Sequence, residues 1–359
     1  MLLDGWTQDR FADKLSGRRI ILICEGQAYL LQSNYGRTVT KTLIDSLTSF
    51  QEETDSRIAY CKYARDNGYS HVRVKSPNSD IFFIFLHFSF SLSDLHIVFE
   101  TGIGKDIKRL IALARQYTHI FCTAFLSLHA FTGCDSVSCF KGMGKVKPLK
   151  VLQKHPRFLS VFQRLGENWT LLVNDFLDLE SFVCTFFSYP RIKSVNEVWF
   201  LKLKDKTKDI FDIENVDANM NVDMAKLPPC QLALRQHTKR TNFQVAIWKR
   251  GKEQFPSEPS PSDGHGWINI DGVLQPLWAE DKENNIFPFK IADFIDTCDD
   301  DNKSDDVDFL DKTSNDDFVD SLSEELEVYE YNEDSYMSFF LIKHLILFVF
   351  VTKSQCDAA

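Results

Sequence analysis

The stretch Ser70-His-Val-Arg-Val-Lys-Ser76-Pro-Asn-Ser-Asp80-Ile-Phe-Phe-Ile-Phe85 decides how the chain is read. Val72 and Val74 alternate with polar residues, which predicts a strand over Ser70–Ser76 with one buried face. Asn78-Ser-Asp80 is a turn-forming cluster. The five apolar residues Ile81–Phe85 then read as a second strand, buried on both faces. Working outward, Glu52–Asn67 reads as a helix: acidic residues crowd its first turn, Lys62 and Arg65 stand near its end, and Gly68 follows. Before it, the apolar run Ile20–Cys24 reads as a buried strand, followed by Glu25-Gly26. Beyond the central stretch, Lys105–Tyr117 sets Ile107, Leu110, Ile111 and Ala114 at helical spacing. Ile120–Phe131 reads as a buried helix running up to Gly133-Cys-Asp135. Lys145 to about Phe162 is helical, with Pro148 tolerated in the first turn. Strand, helix, strand and paired helices predict an α/β domain with a mainly parallel sheet flanked by helices.

Further on, Phe182–Phe187 and Val195–Leu203 each fit either a strand or a buried helical turn. Pro228–Lys252 reads as a long helix opened by Pro-Pro, and Phe255–Gly266 as loop. Ser338–Val351 is mostly Phe, Leu, Ile and Val but is interrupted by Lys343 and His344. It falls short of the roughly 20 residues a spanning helix needs, so a sticky terminal helix or a translation artefact is expected and a membrane partner is not. The expected organisation is an α/β domain over 1–165, a mostly helical region over 166–292, an acidic disordered tail over 293–336 and a short hydrophobic segment over 337–359.

The net charge of −10 misleads as an average. Asp293–Asp334 holds 18 acidic and 2 basic residues, the composition of a disordered tail. Residues 1–292 hold 37 basic and 32 acidic residues, so the body is mildly basic and compatible with a polyanionic partner. The nine cysteines are odd in number, scattered and without a CxxC pair. That argues against a disulfide framework and a structural zinc site. The N-terminus lacks a basic region leading into an apolar run, so an intracellular protein, nuclear or cytoplasmic and not secreted, is expected.

Three acidic groups stand at the ends of expected elements: Glu52, Glu53 and Asp55 at a helix start, Asp80 with Asn78 at a strand junction, and Asp135 after an apolar helix. Singly, each has an ordinary structural explanation in the helix dipole, a turn or a cap. Together, at one edge of a parallel sheet, they would repel one another unless cations sat among them. Hard oxygen ligands select Mg²⁺ or Mn²⁺, and two such ions could act on a phosphodiester. Shortly after Asp135, Phe140-Lys-Gly142-Met-Gly144-Lys145 leads into a helix with Lys147 and Lys150, a pattern that lets backbone N–H groups and lysines approach a phosphate.

Gln51–Arg57, Ser76–Asp80, Leu128–Ser136 and Lys141–Lys145 resemble successive blocks of an uncharacterised invertebrate protein family. That family is itself similar to the PIN-like, flap-endonuclease (XPG-type) 5′ nucleases. Leu227–His237, Ala246–Arg250 and Gly264–Trp267 resemble the family's C-terminal part, so the likeness covers most of residues 1–280. It implies a PIN-like fold and carries catalytic, metal-ligating roles onto Glu53, Asp55, Asp80 and Asp135. Glu52 would lie behind them and Asn78 would serve as a weakened ligand. It also implies a glycine-rich helical hairpin in which Gly142, Gly144, Lys145 and Lys147 hold nucleic acid, DNA in preference to RNA. Asn78 stands where the family has an acidic residue, and the family's N-terminal strands with a further essential Asp have no counterpart, which implies truncation at the N-terminus.

The expected function is therefore a Mg²⁺- or Mn²⁺-dependent endonuclease of PIN/flap-nuclease type, possessing no small-molecule cofactor and possessing a site weakened at Asn78. The alternative is a catalytically inactive nucleic-acid-binding or interaction protein on the same fold. The basic helix Pro228–Lys252, with Arg235, His237, Lys239, Arg240, Lys249, Arg250 and Lys252 among Phe243 and Trp248, fits backbone contact. It fits equally an amphipathic helix with a solvated basic face. No Walker loop, GxSxG, HExxH or kinase signature occurs.

Overall fold

A computed structural model of the chain describes residues 7–15, 18–34, 37–49, 59–76, 78–101, 108–111, 118–211, 223–278, 337–342 and 345–351. The architecture is mixed α/β. The strands are β1 (Arg18–Cys24), β2 (Gln27–Asn34), β3 (Thr38–Leu43), β4 (His71–Lys75), β5 (His96–Thr101), β6 (Lys108–Ile111), β7 (Trp267–Ile270), β8 (Val273–Pro276), β9 (Met337–Ile342) and β10 (Leu345–Val351). The helices are α1 (Ala59–Asp66), α2 (Ser79–Phe88), α3 (His119–Thr132), α4 (Val146–Lys154), α5 (Leu159–Arg164), α6 (Val173–Phe186), α7 (Val195–Phe211) and α8 (Gln231–Lys249). The chain falls into two compact units: Met1–Thr123 with Ile247–Glu258 and Leu322–Ala359, and Ala124–Ala246 with Pro259–Ser321. The division falls inside α3 and α8 and cuts across the boundary expected at residue 165.

The first unit holds an eight-stranded sheet in the order β3-β2-β1-β10-β9-β4-β5-β6. Ile20, Ile21, Leu22 and Ile23 are all buried, as a two-sided apolar run requires. Glu25 and Gly26 form the two-residue turn to β2, with φ of 51° and 78°, the geometry of a type I′ hairpin. A Cβ on Gly26 would lie 2.5 Å from the Ser49 carbonyl oxygen. The mainly parallel sheet expected from the sequence is corrected: five of the seven pairings are antiparallel and only β4–β5 and β4–β9 are parallel. The reason is connection length. Short connections make β1–β2, β2–β3, β5–β6 and β9–β10 antiparallel and β4 reaches β5 by a crossover through α2, whereas β1–β10 and β4–β9 join distant parts of the chain.

Three sequence expectations change here. Ile81–Phe85 is not a strand but the middle of α2. Asn78 Oδ1 accepts the Asp80 N–H at 2.8 Å and caps the helix. Ile81–Leu86 and Phe88 are all buried, so the helix is apolar on every side and has no 3.6-residue signature. Of the helix expected over Lys105–Tyr117, the described part is strand β6, paired antiparallel with β5. Ser338–Val351 is not helical: β9 and β10 form a hairpin inserted between β1 and β4. The helix expected over Glu52–Asn67 is described from Ala59 onward, and Gly68 follows it at φ 83°. The acidic tail lies outside the described residues.

The second unit is helical, with a phenylalanine core. Phe131 packs edge-on against Phe162 and Phe182, and Phe186 against Phe140 and Phe182. The single helix expected from Lys145 to Phe162 breaks at His155, which precedes Pro156 and is pushed out of the helical region to φ −124°, ψ 74°. Phe182–Phe187 and Val195–Leu203 resolve as helix. Among the described residues no helix is long and apolar enough to cross a membrane.

Candidate functional site

Glu52, Glu53 and Asp55 lie outside the described residues. Asp80 belongs to the first unit and Asp135 to the second. Asp80 is half-buried in the first turn of α2, directly beyond the C-terminal end of β4. Asn78 is occupied: its N–H donates to Ser76 Oγ at 3.0 Å and its Oδ1 caps the helix. At the neighbouring strand end the structure adds a carboxylate that sequence reading missed. Glu100, near the end of β5, is buried, pairs with Lys75 across the parallel ladder, and lies 3.5 Å from Arg73 Nε. The signal was available as a single Glu ending the apolar run Ile97-Val-Phe99, which had not been read as a strand. Among the described residues no group of three or more His, Cys, Asp or Glu side chains could hold a metal ion. The described donors do not by themselves fit a Mg²⁺ or Mn²⁺ pair, because Asn78 serves the helix and Glu100 faces Arg73.

Asp135 does not cap a helix. Cys134 and Val137 exchange backbone hydrogen bonds at 3.0 and 3.3 Å, and Asp135 sits exposed at the tip of the turn they close. Gly133 before it has φ 120°, and a Cβ there would lie 2.7 Å from that of Cys139. The turn is tied to α8. Ser136 Oγ donates to Gln244 Oε1 at 2.6 Å, and Ser138 Oγ meets His237 Nδ1 at 3.1 Å. His237 Nε2 faces the Phe131 carbonyl at 2.9 Å, so Nε2 carries the proton. Burial lowers the His237 pKa to about 4. Cys134 Sγ lies 3.5 Å from Ser136 Oγ.

The glycine-rich segment divides. Phe140 O accepts from Met143 N in a tight turn with Gly142 at φ 73°, and Gly144 follows in the same loop. Lys141 pairs with Asp223 at 3.1 Å. Lys145, expected on a phosphate, turns inward and is corrected to a structural cation. It is 3% exposed, and its Nζ meets His129 Nδ1 at 2.8 Å, the His129 carbonyl at 3.1 Å and the Gly133 carbonyl. Those carbonyls end α3, where a cation complements the helix dipole. Lys147 stays at the surface, half-buried. With exposed Lys150 and Lys154 it follows an i, i+3, i+7 spacing along one side of α4, while Pro148, Leu149 and Leu152 are buried. Exposed Arg157 follows on the next turn.

A scan against protein-family models, a search of curated proteins and a search of solved structures each return no match.

Proposed function

We propose that this chain is a nucleic-acid-binding protein on a PIN-like fold, acting on DNA in preference to RNA. The observation that supports this reading is the basic ridge Lys147, Lys150 and Lys154 along one side of α4. Lys147 and Lys154 are separated by about 10 Å of helix rise, roughly three phosphate steps along one duplex strand. The test is a salt titration of duplex-DNA affinity with the full chain and with the variant K147Q/K150Q/K154Q. Each phosphate contact contributes about 0.9 to the slope of log K against log salt. The triple variant is therefore expected to lose roughly 2 to 3 from the slope. An unchanged slope would remove the ridge from the interface.

A second reading keeps the catalytic form, a Mg²⁺- or Mn²⁺-dependent phosphodiesterase. It is favoured by the position of Asp80 just beyond the carboxyl end of the parallel strand β4, where open α/β sheets bind ligands. Glu53 and Asp55 would have to complete the set. Metal-dependent cleavage of flapped DNA that disappears in Asp80→Asn would support it. Cleavage surviving both that substitution and a chelator would overturn it.

A further inference from the structure

The second unit contains a cavity of about 80 Å³ lined by Arg235, Lys239, Gly264 and His265 together with Trp169–Val173 and Phe176. It is built rather than incidental. The wall from Gly166 to Trp169 is strapped to α8 by one side chain: Asn242 accepts the Gly166 N–H at 2.9 Å and donates to the carbonyls of Asn168 and Trp169 at 2.9 and 2.8 Å. Trp169 rests on Phe243 at 5.4 Å between centroids, and Phe243 in turn on His265 at 4.8 Å. Part of the lining is cationic. Arg235 and Lys239 are four residues apart and therefore share a face of α8. The Arg235 guanidinium lies over the Phe176 ring at 4.4 Å, which fixes its orientation. Two apolar lining residues at the start of α6 are exposed, Leu172 at 51% and Val173 at 66%.

A fixed cationic wall, an aromatic floor and an exposed apolar rim are complementary to a ligand that is anionic and apolar at once. We propose that this cavity is a docking site for an acidic peptide from a partner protein, in which a Phe or Leu flanked by carboxylates seats against Leu172, Val173 and Phe176. The flanking carboxylates would meet Arg235 and Lys239. A nucleic-acid strand would satisfy the cations but would gain little from the exposed aliphatic side chains of Leu172 and Val173, so charge and rim together favour the peptide. The site is separate in sequence from the α4 ridge, so the two readings stand or fall independently.

The probe is a fluorescein-labelled peptide, Asp-Glu-Phe-Asp-Leu-Glu, titrated by anisotropy into the full chain. A charge-assisted contact is worth enough that losing each cation weakens binding on the order of ten-fold. Arg235→Gln with Lys239→Gln is therefore expected to abolish measurable binding. Leu172→Ser and Val173→Asp are exposed substitutions that leave the fold intact; both are expected to weaken the peptide several-fold. Retained thermal unfolding of each variant separates lost binding from lost structure. Peptide binding that is indifferent to Arg235, Lys239 and Val173 would overturn the proposal. So would a site occupied by a single-stranded oligonucleotide that the peptide cannot displace.

Discussion

Replacing Asn242 with Ala gives the sharpest test of how the second unit is held. Asn242 is 3% exposed and makes three hydrogen bonds through one amide, to Gly166 N, Asn168 O and Trp169 O. The Gly166 N–H is buried, and orphaning it costs about 1–3 kcal/mol. The two carbonyls are only partly buried and can recover water, so each adds roughly 0.5 kcal/mol. Gly166 cannot readily shift to find another acceptor, because it has φ 77° and a Cβ there would already lie 2.7 Å from Val245 and Ala246 backbone atoms. The expected loss is roughly 3 kcal/mol, more than a hundred-fold in the folding equilibrium. Equilibrium urea unfolding followed by circular dichroism measures it, and amide exchange at Gly166 localises it. Asn242→Asp keeps the acceptor but sets a carboxylate against two carbonyls. Its carboxyl would take up a proton more readily folded than unfolded, so its deficit against wild type should shrink as pH falls through that raised pKa. A cost for Asn242→Ala below about 1 kcal/mol, with normal protection at Gly166, would refute the clamp.

Two further outcomes are expected. His237 is depressed to about 4 by burial, so above the ordinary histidine range it costs nothing. As pH falls below about 6.5 the unfolded chain takes up a proton that the native state refuses, and His237 alone should lower stability by about 2 kcal/mol between pH 7 and pH 5, beside a like contribution from His87, which burial depresses to about 3; the His237 share should vanish in His237→Gln and is read from urea midpoints. Deleting residues 337–359 should unpair β1 and β4 at once, since β10 pairs with β1 and β9 with β4. The truncated chain is expected to aggregate through those exposed strand edges in light scattering, and a monodisperse, cooperatively unfolding product would count against the sheet order.

What was legible in the sequence was what local pattern determines. The β1 run, the alternation of β4, the apolar body of α3 and the length of α8 each carry their own period or apolar span. What was not legible depends on distant partners. Ile81–Phe85 has no period because α2 is buried on all sides, and only the Asn78 cap distinguishes helix from strand. The hairpin β9–β10 became a central element only because β1 and β4 were open to it, which no window around Ser338–Val351 contains. Lys145 looked like a surface cation because Gly-x-Gly-Lys commonly opens onto phosphate; the carbonyls that capture it lie 12 and 16 residues upstream. Glu100 was missed with its strand, whereas Lys147 lies half-buried on the same side of α4 as exposed Lys150 and Lys154.

The long helix shows why hydropathy alone could not place α8. Both sequence readings put its polar residues in water. Yet Gln236, His237, Thr238, Arg240, Thr241, Asn242 and Gln244 are all buried. Four of them hold different pieces of chain. His237 meets Phe131 and Ser138, Gln244 holds Ser136, Asn242 holds the Gly166–Trp169 strap, and Arg240 Nη1 donates to the carbonyls of Gly266 and Leu277 at 3.0 and 2.6 Å. An apolar helix in the same position could bury as much surface but would leave those loops unspecified, since dispersion is not directional and hydrogen bonds are. The polar interior therefore fixes geometry more than it adds stability. Because the Asp135 turn and the Trp169 wall of the cavity are both set by this one helix, a substitution that rotates or frays it should disturb both together, while substitutions on the α4 ridge should disturb neither.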